Sequence, residues 1–203
     1  MLQLTPLRGG ETMLSSIAEN AKNSLVNTIS GAADIIAAVR DDTKKQVIDT
    51  VKGAGDVATS SLETVADVAS GAVAAVVQTG KSVADGSAQV VESSIEAVSE
   101  VGGDAGTAAK EASIGTIKGA SEVGGDLGEA AISAVRGSID AAGKIGGDTG
   151  KLATEAAVGT VKAADEIGSE AGSAVRKALL NSAALPRQII EAAISGKPGT
   201  EKE

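Results

Sequence analysis

Apolar and polar residues follow one another along most of this chain with the spacing of an α-helix, and the whole pattern recurs every 22 residues. The clearest sign is an apolar residue followed by Gly-Gly-Asp, which begins at Val101, Val123 and Ile145, with a degenerate fourth copy at Ile167. Twenty-two residues make two 11-residue (hendecad) units, or six turns of about 3.67 residues, which is close to an ordinary α-helix. A strand would need an alternation of two, which is absent. The pattern therefore predicts an all-α protein.

A second motif keeps the same register within each repeat. A glycine, a hydroxyl residue, a β-branched apolar residue and a charged residue follow one another from Gly115, Gly137 and Gly159. Weaker copies extend upstream, so the hendecad-repeat helical region is predicted to cover residues 35–185.

The favoured interpretation is one long, continuous amphipathic helix. Charged residues collect on one side of such a helix, and small or apolar residues collect on the other. Each repeat places a GxxxG pair at the centre of that small-residue side, and small residues four apart let another backbone approach closely. The predicted packing face comprises Gly102, Gly106, Ile117, Gly124, Gly128, Ile139, Gly146, Gly150, Val161, Gly168 and Gly172.

The glycine content predicts that this helix needs a partner. Sixteen glycines lie between Val101 and Leu180, and each costs about 1 kcal/mol relative to alanine inside a helix. Contact along the packing face must offset that cost. We therefore expect an oligomeric coiled coil or helical tube, built from two or more copies.

An alternative treats each Gly-Gly-Asp as a turn. Glycine would then end one helix and aspartate would cap the next. This gives a stack of short helices with the same 22-residue period. Against it, the amphipathic phase passes through each Gly-Gly without a slip, and no proline occurs between Pro6 and Pro186.

The ends of the chain differ from the repeats. Residues 1–12 are expected to be a translated leader or a disordered start before Met13, because Gly-Gly-Glu is encoded by a purine-rich stretch like those preceding prokaryotic start codons. An intact mass beginning at Met1 would exclude the leader. Residues 13–34 are predicted to be an N-terminal helical segment, residues 186–196 a short amphipathic helix, and residues 197–203 a disordered tail. Three residues of the short helix either dock on a partner or fold back on the chain: Ile189, Ile190 and Ile194.

Composition argues against an enzyme. The chain has no Phe, Tyr, Trp, Cys or His, so it lacks the usual general base near neutral pH, the thiolate nucleophile and the soft or imidazole metal ligands. The remaining polar residues recur in register with the repeat, whereas a catalytic constellation should break the period. We expect no catalytic residue, no metal site and no cofactor.

Charge and hydropathy narrow the partners and the compartment. The net charge is −9, with 18 basic residues scattered among 27 acidic ones. Nucleic acid is excluded as an expected partner, since phosphate needs a basic patch and bases need aromatic stacking. No apolar run approaches the roughly 20 residues of a membrane span, and no export signal precedes the repeats. Cytoplasmic residence is the expectation.

Period and composition over residues 35–185 resemble the late-embryogenesis-abundant and synuclein-like repeat proteins, and more loosely the phasins that coat storage granules. The basic KTKEGV-type consensus is missing and the charge is acidic, so no functional residue is carried over. The sequence predicts a self-associating, non-enzymatic scaffold that organises partner proteins, with an apolar lumen if it forms a tube. The alternative is a coat on a neutral lipid or storage-polymer surface, peripheral to a membrane or granule and disordered until bound.

Overall fold

The structure of the chain is a computed structural model that describes residues 35–53 and 59–195, together with Asn23. Within residues 35–53 and 59–195 it contains eight α-helices and no strand, which confirms the all-α prediction. The helices are α1 Ile35–Gly53, α2 Thr59–Gln78, α3 Val83–Glu100, α4 Ala105–Glu122, α5 Leu127–Ile145, α6 Thr149–Ile167, α7 Ser169–Asn181 and α8 Arg187–Ser195.

Each Gly-Gly-Asp motif ends one helix and begins the next. After α3, Gly102 adopts a φ of +80°, and its N–H donates to the Ser99 carbonyl while the next N–H donates to the Val98 carbonyl. This is the Schellman arrangement, in which glycine supplies the left-handed residue. The Asp104 carboxylate then accepts the backbone N–H of Thr107 and caps α4. The prediction of one continuous helix is wrong, and the alternative of short helices broken at Gly-Gly-Asp is confirmed.

The other two copies of the motif have the same geometry. Gly124 and Gly146 adopt φ values of +67° and +69°. The carboxylates of Asp126 and Asp148 cap α5 and α6. The amphipathic phase could not reveal these breaks, because a helix followed by a short turn restores the same 22-residue register as six uninterrupted helical turns.

The helices stack in two rows, one with α1, α3, α5 and α7 and the other with α2, α4, α6 and α8. In the described part of the chain, each helix packs against the helices one and two places away. The most extensive contacts join helices two places apart, such as α2 with α4 and α4 with α6. Nearest-neighbour packing of this kind is typical of helical solenoids, whose repeats contact only adjacent repeats.

Small aliphatic residues fill the space between the rows. Alanine and valine dominate the core, and the largest completely buried side chains include Ile95, Ile117, Leu179 and Ile190. Aromatic residues are unnecessary because glycine and alanine allow the helices to approach closely. Neighbouring helices of the same chain thus cover the apolar side that was expected to need a second copy.

The C-terminal helix folds back on the stack. Helix α8 packs against α6 and α7, with Ile190 completely buried and with Ile189 and Ile194 partly buried against the core. These isoleucines contact their own chain, as the second of the two expectations for this helix proposed. The calls on residues 1–12 and 197–203, and all but Asn23 of the call on residues 13–34, lie outside the described residues.

Candidate functional site

The predicted packing face does not form one continuous surface. Four of its glycines, Gly102, Gly124, Gly146 and Gly168, lie between helices, and Gly150 is exposed in the first turn of α6. The prediction that they line the contacting face of a long helix is therefore wrong. Three others are buried in first turns of helices, and three apolar members lie in or against the core: Gly106, Gly128 and Gly172, and Ile117, Ile139 and Val161.

The buried first-turn glycines contact side chains of the same chain. A Cβ at Gly128 would lie 2.7 Å from the Cβ of Ala178 in α7. A Cβ at Gly106 would lie 2.9 Å from the Lys151 side chain in α6. Close approach at these glycines is real, but it joins neighbouring helices within one chain.

A different set of glycines makes the closest contacts between helices. A Cβ at Gly115, Gly137 or Gly159 would overlap the backbone carbonyl oxygen of a residue 49 positions earlier, namely Ala66, Ala88 or Lys110. We call this line of contacts the glycine seam. Sequence reasoning recorded these three glycines as a repeated motif and left them out of the packing face. The signal for them was the absence of a side chain at a position otherwise phased for burial.

A second contact fixes the direction of the helices at the seam. Gly119 lies against the carbonyl oxygen of Ser70, where a Cβ would be only 2.5 Å away. Its offset of 49 residues matches that of Gly115 and Ala66, so α2 and α4 run in the same direction. Since the offset recurs in later pairs, each helix is staggered by the same amount on its row neighbour.

Charged residues cross the outer side of the row formed by α2, α4 and α6. The Lys118 ammonium lies 3.7 Å from the Glu166 carboxylate of α6, and Lys162 lies 4.0 Å from the same carboxylate. Lys118 also acts electrostatically on Asp67, and Lys162 acts on Glu111. Both of these pairs are 51 residues apart, so the repeat places a lysine beside a carboxylate of the preceding row member. We call this surface the even face.

The other row carries an acidic helix between two lysines. Lys44 of α1 lies 2.8 Å from Glu100 of α3, and Lys144 of α5 contacts Glu92 and lies 3.2 Å from Glu96. Hydrogen bonding to Glu92 raises the pKa of Lys144, and hydrogen bonding from Lys44 lowers the pKa of Glu100. We call this surface the odd face. Its charges join α1, α3 and α5, and exposed pairs of this kind contribute less than about 1 kcal/mol each.

These surfaces offer little for catalysis. A shallow depression over the odd face is lined by Lys44, Glu96, Glu100 and Lys144, whose charges already pair with one another. Among residues 35–53 and 59–195, no group of acidic side chains is arranged to hold a metal ion. Within the same ranges, no helix combines the length and the apolar character that crossing a membrane requires.

Comparison with known proteins adds no family to this description. No protein-family model matches the chain, and a search of curated proteins finds no similar sequence. The functional argument therefore rests on the described surfaces and on composition.

Proposed function

We propose that this protein is a non-enzymatic cytoplasmic scaffold, a short stack of helices that holds partner proteins on its outer surface. The observation that supports this proposal most is the closure of the interior by the chain's own helices. Helix α4, for example, has α2 and α6 beside it in its row and α3 and α5 in the other row. The apolar side is thereby occupied, and the charged outer faces remain for contact with partners.

The absence of His and Cys from the sequence supports a role without catalysis. The two outer faces support contact with proteins, because ion pairs fix the relative positions of successive helices and keep each surface in register. Self-association through the glycines loses its original physical reason, since neighbouring helices already cover them. Partners are therefore proposed to be other proteins, assembled into a larger complex.

Site-specific photo-crosslinking in the native cell tests this function. A benzophenone amino acid replaces exposed Lys118 on the even face or exposed Arg136 on the odd side of the stack, and a control replaces exposed Gln188 on the terminal helix. A scaffold should give discrete protein adducts from at least one face and fewer from the control. No protein adducts, or equal adducts from all three positions, would contradict it.

The same experiment addresses the coat alternative. A coat must turn its alanine, valine and glycine side toward lipid or polymer, so it requires the two rows to separate. Lipid adducts from the probes in place of protein adducts would then support the coat and reject the scaffold.

A further inference from the structure

The glycine seam between α2 and α4 runs beside three carboxylates. Asp67 directly follows Ala66, whose carbonyl oxygen lies against Gly115. Glu63 lies one turn before Asp67 in α2, and Glu111 lies one turn before Gly115 in α4. Electrostatic repulsion from Glu63 acts on both Asp67 and Glu111. Negative charge is thus gathered where the two backbones approach most closely.

Asp67 is the least compensated member of this group. It is half-buried, and its Oδ2 atom is inaccessible to solvent and has no hydrogen-bond partner. Helix α2 packs against α1, α3 and α4. Among the described residues, the charges that act on Asp67 are the attractive Lys118 of α4 and the repulsive Glu63 of its own helix. An ionised carboxylate with a buried, unpaired oxygen costs free energy, because it loses water without gaining a donor.

We propose that acid strengthens the contact between α2 and α4, because protonation of Asp67 removes an uncompensated charge from the glycine seam. At neutral pH the ionised carboxylate opposes the close approach of the two helices. In its protonated form the same group is neutral and becomes a hydrogen-bond donor beside backbone carbonyls. The stack would therefore hold together more firmly in a mildly acidic environment than in a neutral one.

The direction of the pH effect follows from proton binding. Burial raises the pKa of Asp67 from 3.8 to about 6, with attraction by Lys118 opposing the rise. The folded chain binds this proton more tightly than the unfolded chain, so Asp67 makes the fold less stable as the pH rises from about 4 to about 6. Above about pH 6 the loss is complete, and below about pH 4 it is absent.

Urea unfolding at pH 5 and pH 7 tests the proposal, using wild type, Asp67→Asn and Asp140→Asn. Asp140 is an exposed helical aspartate, so its variant controls for the same chemical change away from the seam. Raising the pH from 5 to 7 should increase the wild-type unfolding constant roughly threefold to tenfold relative to Asp67→Asn, the upper value being discounted for partial exposure. The ratio of wild type to Asp140→Asn should change by less than about twofold.

A ratio to Asp67→Asn that does not change with pH would overturn the proposal, as would an equal change for Asp140→Asn. Because the readout is the change in a ratio, it holds even if Asp67→Asn lowers stability at both pH values. Carbon-detected NMR of the Asp67 carboxyl gives a direct second measurement. A midpoint near pH 6 supports the proposal, and a midpoint near 4 rejects it.

Discussion

Glycines play two opposite roles in this chain, and only their surroundings distinguish them. Gly102 and its repeats end helices in the left-handed conformation, whereas Gly115, Gly137 and Gly159 lie inside helices against another backbone. In a helix interior glycine costs about 1 kcal/mol relative to alanine. At the seam that cost is offset by contact with the neighbouring helix, which a side chain would prevent.

Helix α5 contains both a seam glycine and a matched control. A Cβ at Gly137 would overlap the Ala88 carbonyl, whereas a Cβ at Gly143 would have no atom within 4 Å. Gly137→Ala should lower the free energy of unfolding by about 1 to 3 kcal/mol through overpacking. Gly143→Ala should raise it by roughly 0.5 to 1 kcal/mol through helix propensity. Urea unfolding of both variants checks this pair, and two stabilising substitutions would show that the seam is not a close contact.

At the scale of the helix, aspartate decides where each element begins. The carboxylates of Asp104, Asp126 and Asp148 each accept a backbone N–H three residues later. Hydrogen bonds from the backbone and side chain of Thr107 lower the pKa of Asp104. This cap therefore supports the fold above the ordinary aspartate pKa and is lost as the pH falls through the lowered value.

Replacing these three aspartates together separates capping from charge. The triple change to Ala should lower the free energy of unfolding by about 1 kcal/mol per site, because each helix loses its cap. The triple change to Asn should have little effect, since Asn caps about as well and exposed charges contribute little. Denaturant titrations followed by circular dichroism measure both. An Asn variant as unstable as the Ala variant would indicate that charge, not capping, is what matters.

The sequence alone was sufficient for the helical class and the 22-residue repeat, but it left the breaks at Gly-Gly-Asp as the less favoured alternative. Propensity correctly indicated that a continuous helix with so many glycines would need other contacts. Those contacts come from within the chain at an offset of 49 residues, which no local pattern reveals. The half-burial of Asp67 depends on the same packing, because its neighbours Gly115 and Lys118 belong to another helix.

At the scale of the whole molecule, the two rows convert a chain of short elements into a continuous core. Each helix depends on neighbours one and two places away, so stability should be shared along the stack. Charged residues on both outer faces then bridge successive row members. The central claim is that residues about 49 positions apart meet within one chain.

A distance measurement between two spin labels tests that claim most directly. The chain contains no cysteine, so labels attach only at the introduced Lys118→Cys and Glu166→Cys, whose native side chains lie 3.7 Å apart. Dilution with unlabelled protein removes distances between chains. The stacked fold predicts a label separation below roughly 25 Å, allowing for the length of the labels, whereas a continuous helix would separate these positions by about 70 Å at 1.5 Å per residue. A distribution centred near 70 Å would contradict the account.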